Sequence, residues 1–139
     1  MRVTVFDIVN GEISANVHEA PELDRVPYLD GQPLHGVGVY RIEDRGEVEL
    51  QLVEIAAGGG YVMHSSPKLA FCHIVRGRGK LGLPTGSALD NVGPETYVFH
   101  PGTSHDWHDI EEDTFLAVAI VPDGVTPDMP GRSDGDSDG

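Results

Sequence analysis

Apolar and polar residues alternate along much of the middle of this chain, with the period of two that marks a half-buried β-strand. The stretch Val48-Glu-Leu-Gln-Leu-Val-Glu-Ile55 shows it first, and Tyr61-Val-Met-His64 starts a second segment after a turn at Gly58-Gly59-Gly60. Ala70-Phe-Cys-His-Ile-Val75 is a third, closed by Gly77-Arg-Gly79, and Lys80-Leu-Gly-Leu83 follows, with a loop from Pro84 to Pro94. Glu95 through His100 and Thr114 through Val121 complete the set. Nowhere does a 3.6-residue period persist, and Pro21, Pro27 and Pro33 interrupt the only early helical candidates. Short strands with closely spaced Gly and Pro turns predict an all-β sandwich or barrel.

The chain divides into three parts: an N-terminal segment of strands and irregular structure, 1–47, packing on a barrel of 48–121, and an acidic tail from 122 to 139. The tail, rich in Pro, Gly, Ser and Asp, has too little apolar surface to offset its ordering entropy and is expected to be flexible. Its aspartates lack the spacing and the later glutamate of an EF-hand loop. At 139 residues and 39% hydrophobic, the chain is large enough for one core without covalent staples.

Charge narrows the function. Asp and Glu number 23 against 9 Lys and Arg, a formal net charge of −14. No basic stripe exists to track a phosphate backbone or an anionic bilayer, so nucleic acid and membrane are not expected partners. The acid-rich, lysine-poor balance resembles proteins of high-salt cytoplasms, where screening relieves self-repulsion. The N-terminus MRVTVFDIVNGE has no signal-peptide pattern, the longest apolar run is far too short to span a bilayer, and a cytoplasmic location is expected. Cys72, the single cysteine, excludes an intramolecular disulfide and reads as a buried small side chain.

The candidate chemistry lies in two histidine-bearing segments, Gly58-GGYVM-His64-Ser65-Ser66-PKL-Ala70-FCHIVR-Gly77 and Pro94-ETYVF-His100-Pro101-Gly102-TS-His105-DWH-Asp109. Their spacing resembles the two motifs of the cupin superfamily, G-x5-H-x-H-x3-E-x6-G and G-x5-P-x-G-x2-H-x3-N, over residues 48–121. The resemblance implies a single cupin-type double-stranded β-helix, or jelly-roll, barrel that pairs as a homodimer. In that family two histidines and a glutamate of the first motif, with the histidine of the second, hold a divalent metal. Here only His64 and His105 stand at ligand positions. Ser66 replaces the second histidine, Ala70 the glutamate, Pro94 a glycine, His100 a proline and Asp109 an asparagine.

Catalytic zinc usually takes about three protein ligands, so the implied metal site, for Fe, Mn, Ni or Zn, is incomplete. Strict alternation aims Cys72 at the interior with position 70 and turns His73 outward unless a bulge intervenes. It places Trp107 and Asp109 on the face of His105, with His108 turned away. Asp109 could then ligate a metal or orient His105. His100 sits at a turn edge near the barrel mouth, while His18 and His35 read as surface residues. No nucleophile elbow and no phosphate-binding loop are present, and Glu43, Asp44 and Glu47 read as a solvated hairpin end.

Three functions remain. The barrel is a metal-dependent oxygenase, isomerase or lyase acting through His64 and His105, a metal-free module binding a sugar, organic acid or other small polar metabolite, or a dimeric scaffold without catalysis. In the scaffold reading the segment before Val48 exchanges between partners.

Overall fold

The computed structural model describes residues 2–19, 22–29, 31–45 and 48–122, the side chains of 43–45 excepted; the acidic tail lies almost wholly outside them. The described chain is all β. In order come β1 (Arg2–Val9), β2 (Glu12–Glu19), β3 (Asp24–Arg25), β4 (Tyr28–Leu29), β5 (Gln32–Pro33), β6 (His35–Arg45), β7 (Val48–His64), β8 (Leu69–Gly82), β9 (Ala88–Val92), β10 (Glu95–Phe99) and β11 (His105–Val121). Seven strands form one antiparallel sheet in the order β10-β8-β11-β7-β6-β3, with β9 also paired to β8. β1 with β2, and β4 with β5, make separate two-stranded ribbons.

Three strands are much longer than the alternation predicts because they bend rather than end. β7 does not stop at Gly58; that residue, at φ +82°, kinks a strand that continues to His64. β8 likewise runs through Gly77, at φ +124°, instead of ending there. β11 bends at Asp109, a non-glycine residue at φ +49°. Each long strand therefore has two halves with different partners. Thr114–Ile120 of β11 pairs with Glu49–Ile55 of β7, whereas Trp107 meets Tyr61 and His105 meets His64. The register slips between these blocks, which is how bulges bend a sheet back over itself. The two halves then face each other: Val53, Ile55, Cys72, Ile74 and Leu116 from one pack with Leu81, Trp107 and Ile110 from the other.

Two further elements depart from the sequence reading. The loop expected before Pro94 contains β9, paired with β8 from Arg78↔Val92 to Gly82↔Ala88. The N-terminal segment begins with a regular hairpin, β1 against β2, closed by Asn10 and Gly11 at φ +53° and +80°. Positive φ at both central residues is the turn geometry that Asn-Gly favours in two-residue hairpins. β6, at the end of the same segment, is an integral strand of the barrel beside β7.

Candidate ligand pocket

The bend in β7 sets the site. Between its pairings with Trp107 and His105, β7 advances three residues while β11 advances two. That extra residue puts Tyr61 and His64 on the same face, which plain alternation would not do. β11 keeps strict alternation here, so His105 and Trp107 are buried at 5% and 4% exposure. The result is an aromatic cluster: His64 and His105 ring centroids lie 4.4 Å apart, Tyr61 lies 4.7 Å from His64, and Phe99 stacks on His105 at 3.7 Å. Trp107 meets the edge of His105 at 6.1 Å.

These rings form one wall of a cavity of about 690 Å³. The facing wall is aliphatic, with Val53, Leu116, Val118 and Ile120 among its residues, and Arg41, Glu49 and Gln51 also line it. Arg41 Nε donates to Glu49 Oε2 at 3.2 Å, so that part of the lining is internally paired. The volume suits a small organic molecule, and a mostly apolar lining with a few converging polar groups is the usual make-up of a ligand site.

The histidine tautomers follow from geometry. His64 Nδ1 lies 2.8 Å from the Val62 carbonyl and His105 Nδ1 lies 3.3 Å from that of Thr103. A carbonyl only accepts, so both Nδ1 atoms carry the proton. With Nδ1 so engaged, Nε2 is the ring atom left to meet a ligand, and neither Nε2 has a hydrogen-bond partner among the described residues. Burial, with the neighbouring His64 second, pushes the His105 pKa down from 6.5 to about 4. At neutral pH His105 is therefore an uncharged acceptor.

That depression couples stability to pH. Between about pH 6.5 and 4 the unfolded chain protonates His105 while the folded chain resists, so stability present above pH 6.5 is lost as pH falls. His105→Gln is expected to lessen the acid sensitivity by about 2–3 kcal/mol over that window. Parallel thermal melts of parent and variant check this; equal pH slopes would show that His105 does not titrate as a buried base.

The remaining candidates separate clearly. Ser66 lines the pocket, but its Oγ accepts the Lys68 N–H at 3.0 Å. Cys72 also lines it, and burial pushes its thiol up to about 12, far from a ligating thiolate. His100 is exposed and contributes to the lining. His73 points outward, its Nδ1 2.8 Å from Thr96 Oγ1, so no bulge rescues it as a ligand. Asp109 does not share the face of His105. Its positive φ resets the alternation, leaving Asp109 exposed and burying Ile110 instead. His108 turns away as expected and pairs with Asp106 Oδ1 at 2.7 Å. Tyr61 and Phe99 were not singled out from the sequence; Phe99 was readable by alternation with Tyr97, Tyr61 only with knowledge of the bulge.

A family-type metal centre does not fit this donor set. Among the described residues no group of three or more His, Cys, Asp or Glu side chains is placed to hold an ion. The deficiency lies in the side chains themselves: Ala70 has no donor atom, and the neutral Ser66 hydroxyl already accepts the Lys68 N–H.

The chain has a cupin-type fold, an antiparallel jelly roll whose barrel encloses the histidine pair. It is similar to the cupin domain of Schizosaccharomyces pombe Cnp3, with a TM-score of 0.65 at 9% identity over 88% of each chain. An RmlC-like cupin from Shewanella frigidimarina NCIMB 400 gives 0.63 at 12% identity, covering 87% of this chain and 95% of that one. The DMSP lyase DddQ from Ruegeria pomeroyi DSS-3 gives 0.56 at 15% identity, covering 66% of this chain and 49% of that one. No protein-family model matches the chain, and a search of curated proteins finds no match.

Proposed function

We propose that this barrel binds a small molecule with an apolar body and a hydroxyl head, held by His64 and His105 without a resident metal. The observation that carries the reading is the pair of histidine rings, 4.4 Å apart, whose Nε2 atoms have no hydrogen-bond partner among the described residues and which line a largely apolar cavity. Two adjacent acceptors favour a ligand that donates, and the aromatic and aliphatic walls favour an apolar remainder. Net negative charge on the chain disfavours an anionic ligand further.

Trp107, the single tryptophan, lines the cavity and supplies the readout. Titrating phenol and catechol against anisole and 1,2-dimethoxybenzene, followed by Trp107 fluorescence, is expected to show hydroxyl compounds binding at least about tenfold tighter than their ethers. Equal responses, or none, would overturn the reading.

A metal-dependent enzyme is the alternative that the same adjacent histidine pair favours, and the DMSP lyase is one enzyme built on this fold. Near-stoichiometric Fe, Mn, Ni or Zn in untagged protein, lost in the His64→Ala/His105→Ala variant, would establish it in place of the metal-free reading.

A further inference from the structure

Strand β7 inverts its own pattern where it borders the cavity. By polarity, Val48-Glu-Leu-Gln-Leu52 would turn Leu50 inward and Glu49 and Gln51 to solvent. The structure does the reverse. Glu49 and Gln51 line the cavity beside Val53, and Leu50 stands outside at 37% exposure. A strand that exposes a leucine to hold two polar side chains against an apolar cavity breaks the usual order of burial, and such breaks are expected where a fold serves function.

The polar side chains there form one connected group. Arg41 on β6 pairs in register with Gln51 on β7. Glu49 Oε2 accepts from Arg41 Nε at 3.2 Å and from Gln51 Nε2 at 3.4 Å. The Arg41 side chain is 61% exposed and that of Glu49 23%, so the group stands at the cavity rim. An ion pair this exposed stabilises a fold little. Hydrogen-bonding capacity is left over: the Arg41 terminal nitrogens, Glu49 Oε1 and Gln51 Oε1 have no partner among the described residues. Donors and acceptors thus stand side by side while the two charges cancel.

The sheet register fixes where this rim lies relative to the histidines. Glu49 pairs with Ile120, Ile120 with Ala70 and Ala70 with Phe99, and Phe99 stacks on His105. Three strand spacings of about 4.8 Å separate the two clusters, roughly 14 Å along the curved sheet. Ala70, Val118 and Ile120 line the cavity between them.

From this arrangement we infer that Arg41, Glu49 and Gln51 form a second polar subsite, which takes a neutral carboxamide at the far end of an elongated ligand. This rests on the reading of the histidine pair as the site of the hydroxyl head, and it adds the other end of the molecule. The amide carbonyl accepts from Arg41, and the amide N–H groups donate to Glu49 Oε1 or Gln51 Oε1. A planar carboxamide matches mixed donors and acceptors better than a lone hydroxyl, which has one proton to give. A carboxylate matches worse: Glu49 already balances the Arg41 charge, a second carboxylate would lie beside it, and the chain carries a net −14.

The test is calorimetric titration of the full chain with 4-hydroxyphenyl alkanamides of increasing chain length, each against the 4-alkylphenol and the 4-hydroxyphenyl alkanoate of equal length. The best amide is expected to bind at least about tenfold tighter than its alkylphenol, the effect of one or two hydrogen bonds. The alkanoate is expected to show no such gain. In Arg41→Met/Glu49→Leu, which removes both charges together, the amide-to-alkylphenol ratio is expected to fall to about one, and in Gln51→Leu to fall in part. No gain at any length, or no binding at all, would overturn the inference. So would a gain that survives both variants, or an alkanoate that outbinds the amide. The head-group reading fails separately: 4-alkylphenols binding no tighter than 4-alkylanisoles would sink it, while the amide gain, read on either series, still tests the rim. Should the double variant lose its β signal by circular dichroism, Gln51→Leu alone carries the test, a full parental gain there being the contrary result.

Discussion

Gly77→Ala is expected to abolish folding at ordinary temperature, or to cost more than about 4 kcal/mol where any folded protein remains. A Cβ there would overlap Thr114 Oγ1 and Cα and would come within 2.7 Å of Thr114 Cβ. Thr114 is itself fully buried and cannot retreat. The backbone at φ +124° adds a conformation that residues with a side chain rarely adopt. Gly86→Ala is the matched control. It too has positive φ, +90°, but a Cβ would meet nothing within 4 Å, so it is expected to cost only about 1–2 kcal/mol. Comparing the two by urea denaturation separates steric overlap from backbone preference. Equal, small losses would mean that β8 does not pass so close to β11.

His64→Leu/His105→Leu is expected to trade function for stability. The Leu pair keeps apolar bulk against Phe99 and Trp107 while removing two acceptors that have no partner among the described residues. Phenol affinity is expected to fall roughly a hundredfold, on the order of tenfold per lost hydrogen bond, while the melting temperature rises. Structural histidines would behave the other way: the melting temperature would drop with affinity unchanged. A rise in stability on removing both rings is the mark of groups kept for binding rather than for packing.

The strands were legible where alternation was clean. Ala70–Val75 read as half-buried from the residues alone and does bury every second side chain, whereas Val48–Ile55 is a strand as read but buries Leu52 and Val53 together and leaves Leu50 exposed. The motif spacing supplied the pairing of His64 with His105, some forty residues apart, which no local period could. What escaped were irregularities. Glycines at 58 and 77 read as chain reversals because a turn and a kink need the same positive φ; only the tertiary pairing tells them apart. Asp109 was placed on the wrong face because alternation assumes an unbroken pleat, and that residue breaks it. The Asn10-Gly11 pair is a strong local hairpin signal between two apolar-rich runs, whereas the prolines at 21, 27 and 33 speak only for the stretch that follows.

The central claim is that His64 and His105 each hold Nδ1–H on a backbone carbonyl and offer Nε2 to a ligand in the cavity. Long-range ¹H–¹⁵N correlation spectra of ¹⁵N-histidine-labelled protein at pH 7.5 test it most directly. The expected result is a protonated-type Nδ1 and an unprotonated-type Nε2 for both residues, with only Nε2 shifting when phenol is added. Rings protonated at Nε2, or charged, or unmoved by the ligand would contradict the account.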